Sequence, residues 1–468
     1  MRSSNALKLI GLGTLVLMII GFYNGYPLVY SDTGTYILSG YEKIIPNDRP
    51  ITYGLFISLF DFDYSLWFVI LFQNLITAFV IFEVLRTLNV NKNFAYIYLS
   101  ILLFLVFFTG IGWYSNQIMP DFFAPITILS IFILLKKENL LIFTRITLSI
   151  ILIYSMISHL SHLLIGSSLI LLVFLFKIFA KKSLYGIQAR KLIFATIIVF
   201  SSWLVLPGIN AIVENKFILS KGSHVMLMAH LNQTGILKEF LDEKCDDNEY
   251  QDCILCNYKD SLPRDLASFI WSDKQILQKC GGWIGSKDEF NKIITATLTE
   301  PKYLFLNIYK SITYGFIQLT DNRIGYGLGG YNEGSAPYGL VKDKFPHELN
   351  DYLFSRENLW NGVKLKLETL NLFYLVILFI SLFFVLYIFT TSLKSKLNSN
   401  TIFFLLFVIL AIVINSFITA GLNSPYGRFQ ARIVWLLPFA LAILISKNYY
   451  IIIKTILTNI ASISRIKN

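Results

Sequence analysis

Long apolar runs separated by short polar breaks dominate the chain. They occupy residues 7–22, 66–85, 94–110, 122–135, 140–157, 163–179, 192–213, 370–390, 402–420 and 433–445. Most approach the roughly 17 to 25 residues with which a helix crosses about 30 Å of hydrocarbon, a length that fits helices and not barrel strands. The pattern predicts an all-α polytopic membrane protein with about ten transmembrane helices, in a range of roughly nine to twelve. The first run lacks a small-residue cleavage site and is followed by Gly25, Tyr26 and Pro27, which reads as an uncleaved anchor. Residues 449–463 carry Lys454 and Asn459 and are expected to lie as a helix in the cytoplasmic interface.

Composition agrees with the pattern: 55% of the 468 residues are hydrophobic and 15% charged. The formal charge of +11 adds direction to it. Arg86, Lys136, Lys137, Arg145, Lys177, Lys181, Lys182, Arg190, Lys191, Lys394 and Lys447 fall beside alternate short loops, the bias that marks cytoplasmic ends. Basic residues scattered in this way do not form the single face that nucleic acid requires. Both termini are then expected in the cytoplasm, in the inner (plasma) membrane of a bacterium. Segments 23–65, 111–121, 158–162, 214–369 and 421–432 fall on the opposite, periplasmic or extracellular side. Three regions follow: helices one to seven in 1–213, an extracytoplasmic domain in 214–369 between spans seven and eight, and three further helices with a tail in 370–468.

The exported segment holds Cys245, Cys253, Cys256 and Cys280, so two disulfides in an oxidising compartment are the simplest expectation. The pairing stays open. A zinc reading of Cys253 and Cys256 lacks a second C-x2-C.

Ionisable residues at membrane depth are costly, so those at the ends of apolar runs become site candidates. Asp32 stands in Tyr-Ser-Asp-Thr-Gly-Thr-Tyr (30–36), Arg49 in Asn-Asp-Arg-Pro-Ile-Thr-Tyr-Gly (47–54), and Asp121 in Gln-Ile-Met-Pro-Asp (117–121). His159 and His162 occupy Ser-His-Leu-Ser-His (158–162), and Arg428 and Arg432 lie in Pro-Tyr-Gly-Arg-Phe-Gln-Ala-Arg (425–432). All fall on the exported side. Each also has a bland role: a turn for Asp32, a helix cap for Asp121, packing for the histidines, and headgroup contact for the arginines. Asp121, His159 and His162 together are also candidates for a divalent metal, which would be the only cofactor.

These motifs resemble the GT-C superfamily of membrane glycosyltransferases, which includes protein O-mannosyltransferases and aminoarabinose transferases of lipid A. The likeness lies in an aspartate just after the first span (Asp32), then Arg49-Pro50 with Tyr53-Gly54, then Pro120-Asp121 and an arginine-bearing loop before the last span. Many members carry two adjacent acidic residues where this chain has Ser31-Asp32-Thr33, and the stretch 255–263 is more similar to an uncharacterised bacterial branch. The resemblance implies transfer of a sugar from a polyprenyl-phosphate donor to a glycan, lipid or protein acceptor, with membrane lipids as surroundings. Asp32 would be the general base, assisted by Asp121, and Arg49, Arg428 and Arg432 would hold the donor phosphate, with His159 and His162 orienting the acceptor. Three other readings stay open: a transporter or flippase of lipid-linked glycans, a polymerase or ligase, and a non-catalytic assembly protein. A transporter would show inverted repeats or charges deep in several helices, and neither is evident. An enzyme requires the polar candidates to converge on one cavity.

Overall fold

The computed structural model describes residues 3–90, 92–179, 186–272, 276–391 and 393–466. Lys181 and Lys182 lie outside them. Among the described residues the fold is helical throughout, because an apolar segment in lipid must satisfy its backbone hydrogen bonds internally. Seven helices are long and apolar enough to cross a membrane: Ser4–Asn24, Leu66–Thr87, Leu160–Phe179, Ala189–Glu214, Leu359–Thr390, Ser399–Leu422 and Gly427–Tyr449. This makes the chain an integral membrane protein. The other three apolar runs form shorter helices, Phe94–Phe108, Phe123–Lys136 and Ile142–Ile157. Every residue of Phe123–Lys136 is buried, so this short helix is the axis around which the others pack. In contrast, Phe373, Phe379 and Phe383 on Leu359–Thr390 are exposed, as a lipid-facing helix requires.

Beyond the last apolar run the tail is helical to Ile466, set off from it by a kink at Asn448 (φ −126°, ψ 17°).

Segment 23–65 is folded into the bundle. Its helices Thr33–Glu42 and Thr52–Phe60 pack so closely that a β-carbon on Gly40 would collide with the Gly54 carbonyl. Glycine at both crossings is therefore a packing requirement. An isolated parallel bridge joins Leu28 to Gln117, with Leu28 N donating to Asn116 O (2.9 Å) and Ile118 N to Leu28 O (2.8 Å). Thr33 Oγ1 donates to Ile118 O at 3.0 Å. These bonds draw Asp32 toward Asp121.

Segment 214–369 divides in two. Val225, Met228, Phe240, Leu255, Phe269, Phe290 and Tyr303 belong to a small core of their own. Ile324, Val341, Phe345 and Tyr352 instead join the main core, where the helix Ala336–Lys344 covers Thr33–Glu42. Buried carboxylates fasten this second part: Tyr26 donates to Glu348 (2.7 Å) and Val29 N to Glu357 (2.9 Å). Between the parts, the helix Pro301–Thr320 lies along Ser399–Leu422, with Gly315 admitting the Phe417 ring.

The cysteines correct one expectation. Cys245 and Cys256 form a disulfide, whereas Cys253 and Cys280 are buried thiols and not a second bridge. The Cys253 thiol faces Glu289 at 3.4 Å, and both free cysteines act as small apolar side chains of the domain core. Burial pushes the Cys253 thiol up to about 11 and the Cys280 thiol up to about 12, which leaves them protonated and unreactive at neutral pH.

Candidate functional site

The site forms where four chain segments meet at one end of the bundle. Asp32 precedes the helix Thr33–Glu42, and Arg49 ends the loop that Pro50 directs into Thr52–Phe60. Asp121 sits in a single 3-10 turn, Pro120–Phe122, and Arg428 and Arg432 project from one face of Gly427–Val434, four residues apart.

Arg49 grips Asp48 with two bonds, Nε to Oδ1 at 3.0 Å and Nη2 to Oδ2 at 2.5 Å. Its Nη1 lies 3.0 Å from Asp32 Oδ2, yet makes no aligned hydrogen bond, so the Asp32 contact is an ion pair with a donor to spare. Arg428 Nη2 is 3.7 Å from the same carboxylate oxygen, and its guanidinium lies over the rings of Tyr30 (4.3 Å) and Phe429 (5.0 Å). Its Nε and Nη1 are buried without a hydrogen-bond partner. That is unusual, because a buried charged donor left unsatisfied costs a kcal/mol or more.

Arg432 is fully buried and bonded to Asp121 Oδ1 (3.2 Å), Ser161 Oγ (3.3 Å) and Asn415 Oδ1 (3.4 Å), with only Nε unpartnered. The Asp121 side chain caps no helix. Three guanidinium groups face three carboxylates, so the formal charges cancel and the uncommitted N–H groups define the character of the site. Burial alone would raise the Asp32 carboxyl, but Arg49 and then Arg428 outweigh it and hold it below its ordinary value. Asp32 is therefore ionised at neutral pH.

The two histidines stand beside this cluster with ring centroids 5.2 Å apart. His159 Nδ1 contacts Ser161 Oγ at 2.8 Å, and His162 Nδ1 contacts the Ser155 carbonyl at 2.9 Å. Burial, followed by Arg432, Arg428 and Arg49, keeps His159 neutral. Among the described residues no group of three or more His, Cys, Asp or Glu side chains is placed to hold a metal ion. The expected set of Asp121, His159 and His162 does not assemble: Asp121 turns to Arg432, and the Nδ1 atom of each imidazole is bonded locally.

Two cavities flank the cluster. A cleft of about 300 Å³ between Leu160–Phe179, Ala189–Glu214 and Ser399–Leu422 is lined mainly by apolar side chains, among them Leu163, Leu164, Trp203, Met226, Ile418 and Leu422, and reaches Asp48, His159, Ser161 and Phe429. A second, open cavity of about 440 Å³ is lined by Ser31, Asp32, Thr35, Asn47, Asp48 and Arg49, with Trp271 and Trp283 on its wall. Sequence reasoning missed Tyr30, Ser161, Asn415 and both tryptophans. Asn415, which with Ser416 and Thr419 interrupts the apolar run of Ser399–Leu422, carried the same kind of signal of polar cost as the aspartates.

The structure thus brings Asp32, Arg49, Asp121, Arg428, Arg432, His159 and His162 into one neighbourhood and keeps all four cysteines in the separate domain core. Compared with family models, with curated proteins and with solved structures, the chain shows no match, so its function is read from this geometry.

Proposed function

We propose that the chain is a GT-C-type glycosyltransferase with ten membrane spans and cytoplasmic termini, which moves a sugar from a polyprenyl phosphate to a hydroxyl or amine acceptor on the extracytoplasmic side of a bacterial inner membrane. The observation that carries this reading is the pair of unpartnered, buried N–H groups on Arg428 beside Asp32, next to a largely apolar cleft between membrane helices. A phosphate satisfies such donors by charge-assisted hydrogen bonds, and the cleft suits the prenyl chain attached to it.

The chemistry balances without a further reactant. The acceptor oxygen or nitrogen attacks the anomeric carbon, the bond from that carbon to the phosphate oxygen breaks, and the phosphate leaves with the electron pair. Asp32 takes the acceptor proton. Two guanidinium groups make Asp32 a weak base at rest, but a phosphate that occupies Arg428 draws away part of that positive field. Donor binding then raises the basicity of Asp32 where the proton is to be received. The expected outcome is that Asp32→Asn abolishes transfer in a membrane assay while still retaining polyprenyl phosphate, and that Arg428→Gln loses the lipid itself. An Asp32→Asn protein with full transfer activity at unchanged expression rejects the base assignment.

A further inference from the structure

The small disulfide-bonded domain lines one side of the open cavity over Asp32, and its two contributions are both tryptophans. Trp271 ends the helix Leu266–Trp271, and Trp283 lies in the short turn Gly282–Gly285. Their ring centroids are 5.7 Å apart and the ring planes meet at 47°, so the indoles form a wedge. Trp271 is 62% exposed, which a packing role does not explain.

Trp283 is held in place. Its carbonyl meets His224 Nε2 at 3.0 Å, and its ring lies so close to Gly222 that a β-carbon there would stand 2.5 Å from both the ring and the Asn47 carbonyl. The Arg49 loop is tied to the same junction: Ile45 N donates to Glu214 (2.8 Å), and Lys221 Nζ donates to Ile45 O (2.9 Å) and Glu214 (2.6 Å). Aromatic faces and the Asp32 carboxylate are thus fixed within one frame.

We propose that Trp271 and Trp283 form the acceptor subsite and that the acceptor is a carbohydrate, whose ring stacks in the indole wedge while its hydroxyl groups meet Ser31, Thr35 and Asn47. A pyranose has one face of C–H groups and a rim of hydroxyls, which matches a cavity with aromatic walls and hydroxyl, amide and carboxylate groups at its base. The acceptor side is favoured over the donor side because this cavity contains Asp32, whereas Phe429, Ser161 and the apolar walls belong to the other cleft. A nucleophile and a leaving group that enter from separate clefts approach the anomeric carbon from different directions. The proposal rests on the transferase reading for the identity of the reaction, but its binding claim is tested independently.

The experiment places the purified full chain, in lipid nanodiscs, on an array of immobilised mono- to tetrasaccharides and on an array of hydroxyl-bearing peptides. The wild-type protein is expected to retain a subset of the glycans. Trp271→Ala and Trp283→Ala each weaken that binding about tenfold, the loss expected for a stacked aromatic contact. Trp283→Phe restores most of it, and Gly222→Ala, which leaves both indoles in the chain, weakens it as well. Polyprenyl monophosphate binding, followed in parallel by native mass spectrometry, is unchanged in all four variants. Retention of peptides only, of no glycan, or of glycans equally by wild type and both alanine variants overturns the proposal. Tryptophan-dependent glycan binding in a protein that holds no polyprenyl phosphate would uphold this subsite and reject the donor reading instead.

Discussion

Two clusters of buried charge lie on opposite sides of the bundle and resolve their electrostatics differently. In the first, Glu83 is paired with Lys137 and with Arg86 at 3.3 Å, and none of the three side chains has a buried polar atom without a partner. In the second, Asp32, Asp48 and Asp121 face Arg49, Arg428 and Arg432, yet N–H groups of all three arginines lack hydrogen-bond partners. Glu83 and its cations are what a membrane protein needs to end helices near a water interface. The arginine cluster is balanced in formal charge but holds more N–H donors than its own pairing uses. A closed ion pair contributes structure, and spare donors mark a place prepared for an anion.

The sharpest way to break the comparison is inside the second cluster, where Arg432 serves structure and Arg428 does not. Asp121→Asn leaves Arg432 fully buried without its carboxylate and is expected to destabilise the folded chain by about 3–5 kcal/mol, read as a lowered thermal midpoint in detergent. Glu83→Gln removes a carboxylate from a pair that is partly exposed at Arg86, and a smaller loss of about 1–3 kcal/mol is expected in the same measurement. Arg428→Met should change stability by less than about 1 kcal/mol or raise it, since it removes two unsatisfied donors, while polyprenyl phosphate binding is lost. If Arg428→Met destabilised more than Glu83→Gln, the distinction between a structural and a poised cluster would fail.

The smallest effect concerns acid. The Asp32 carboxyl is lowered in the folded chain, so its pairing contributes stability that is fully present above the ordinary carboxylate value of about 3.9. That contribution is lost only as pH falls through the lower folded value. Titration of Asp32, followed by isotope-edited infrared spectroscopy of its carboxylate band, should therefore show no protonation between pH 7 and about pH 4.

Much of the scaffold was legible in the sequence because each apolar run is decided locally. All ten runs coincide with helices, and the cost of burying charge pointed to Asp32, Arg49, Asp121, Arg428 and Arg432 before any contact was known. The same rule selected His159 and His162 but did not reveal their role, since their local bonds to Ser161 and Ser155 depend on the turn they occupy. The cysteines show where spacing stops being informative: four thiols in one polar segment suggest two bridges, but Cys253 and Cys280 are taken up by a core whose shape no spacing encodes. Trp271 and Trp283 gave no signal, since a tryptophan in a water-facing segment has many ordinary uses.

Entry into a membrane as helices, with the costly side chains at the ends of apolar runs, is written in the amino-acid order, since hydrophobic transfer depends on composition over about 20 residues. Which charges satisfy one another is set by the packing of the folded chain. Asp121 meets Arg432 across 311 residues of chain, and Tyr26 meets Glu348 across 322. Such pairings depend on how the helices pack, so they also decide which guanidinium groups are left with donors to offer.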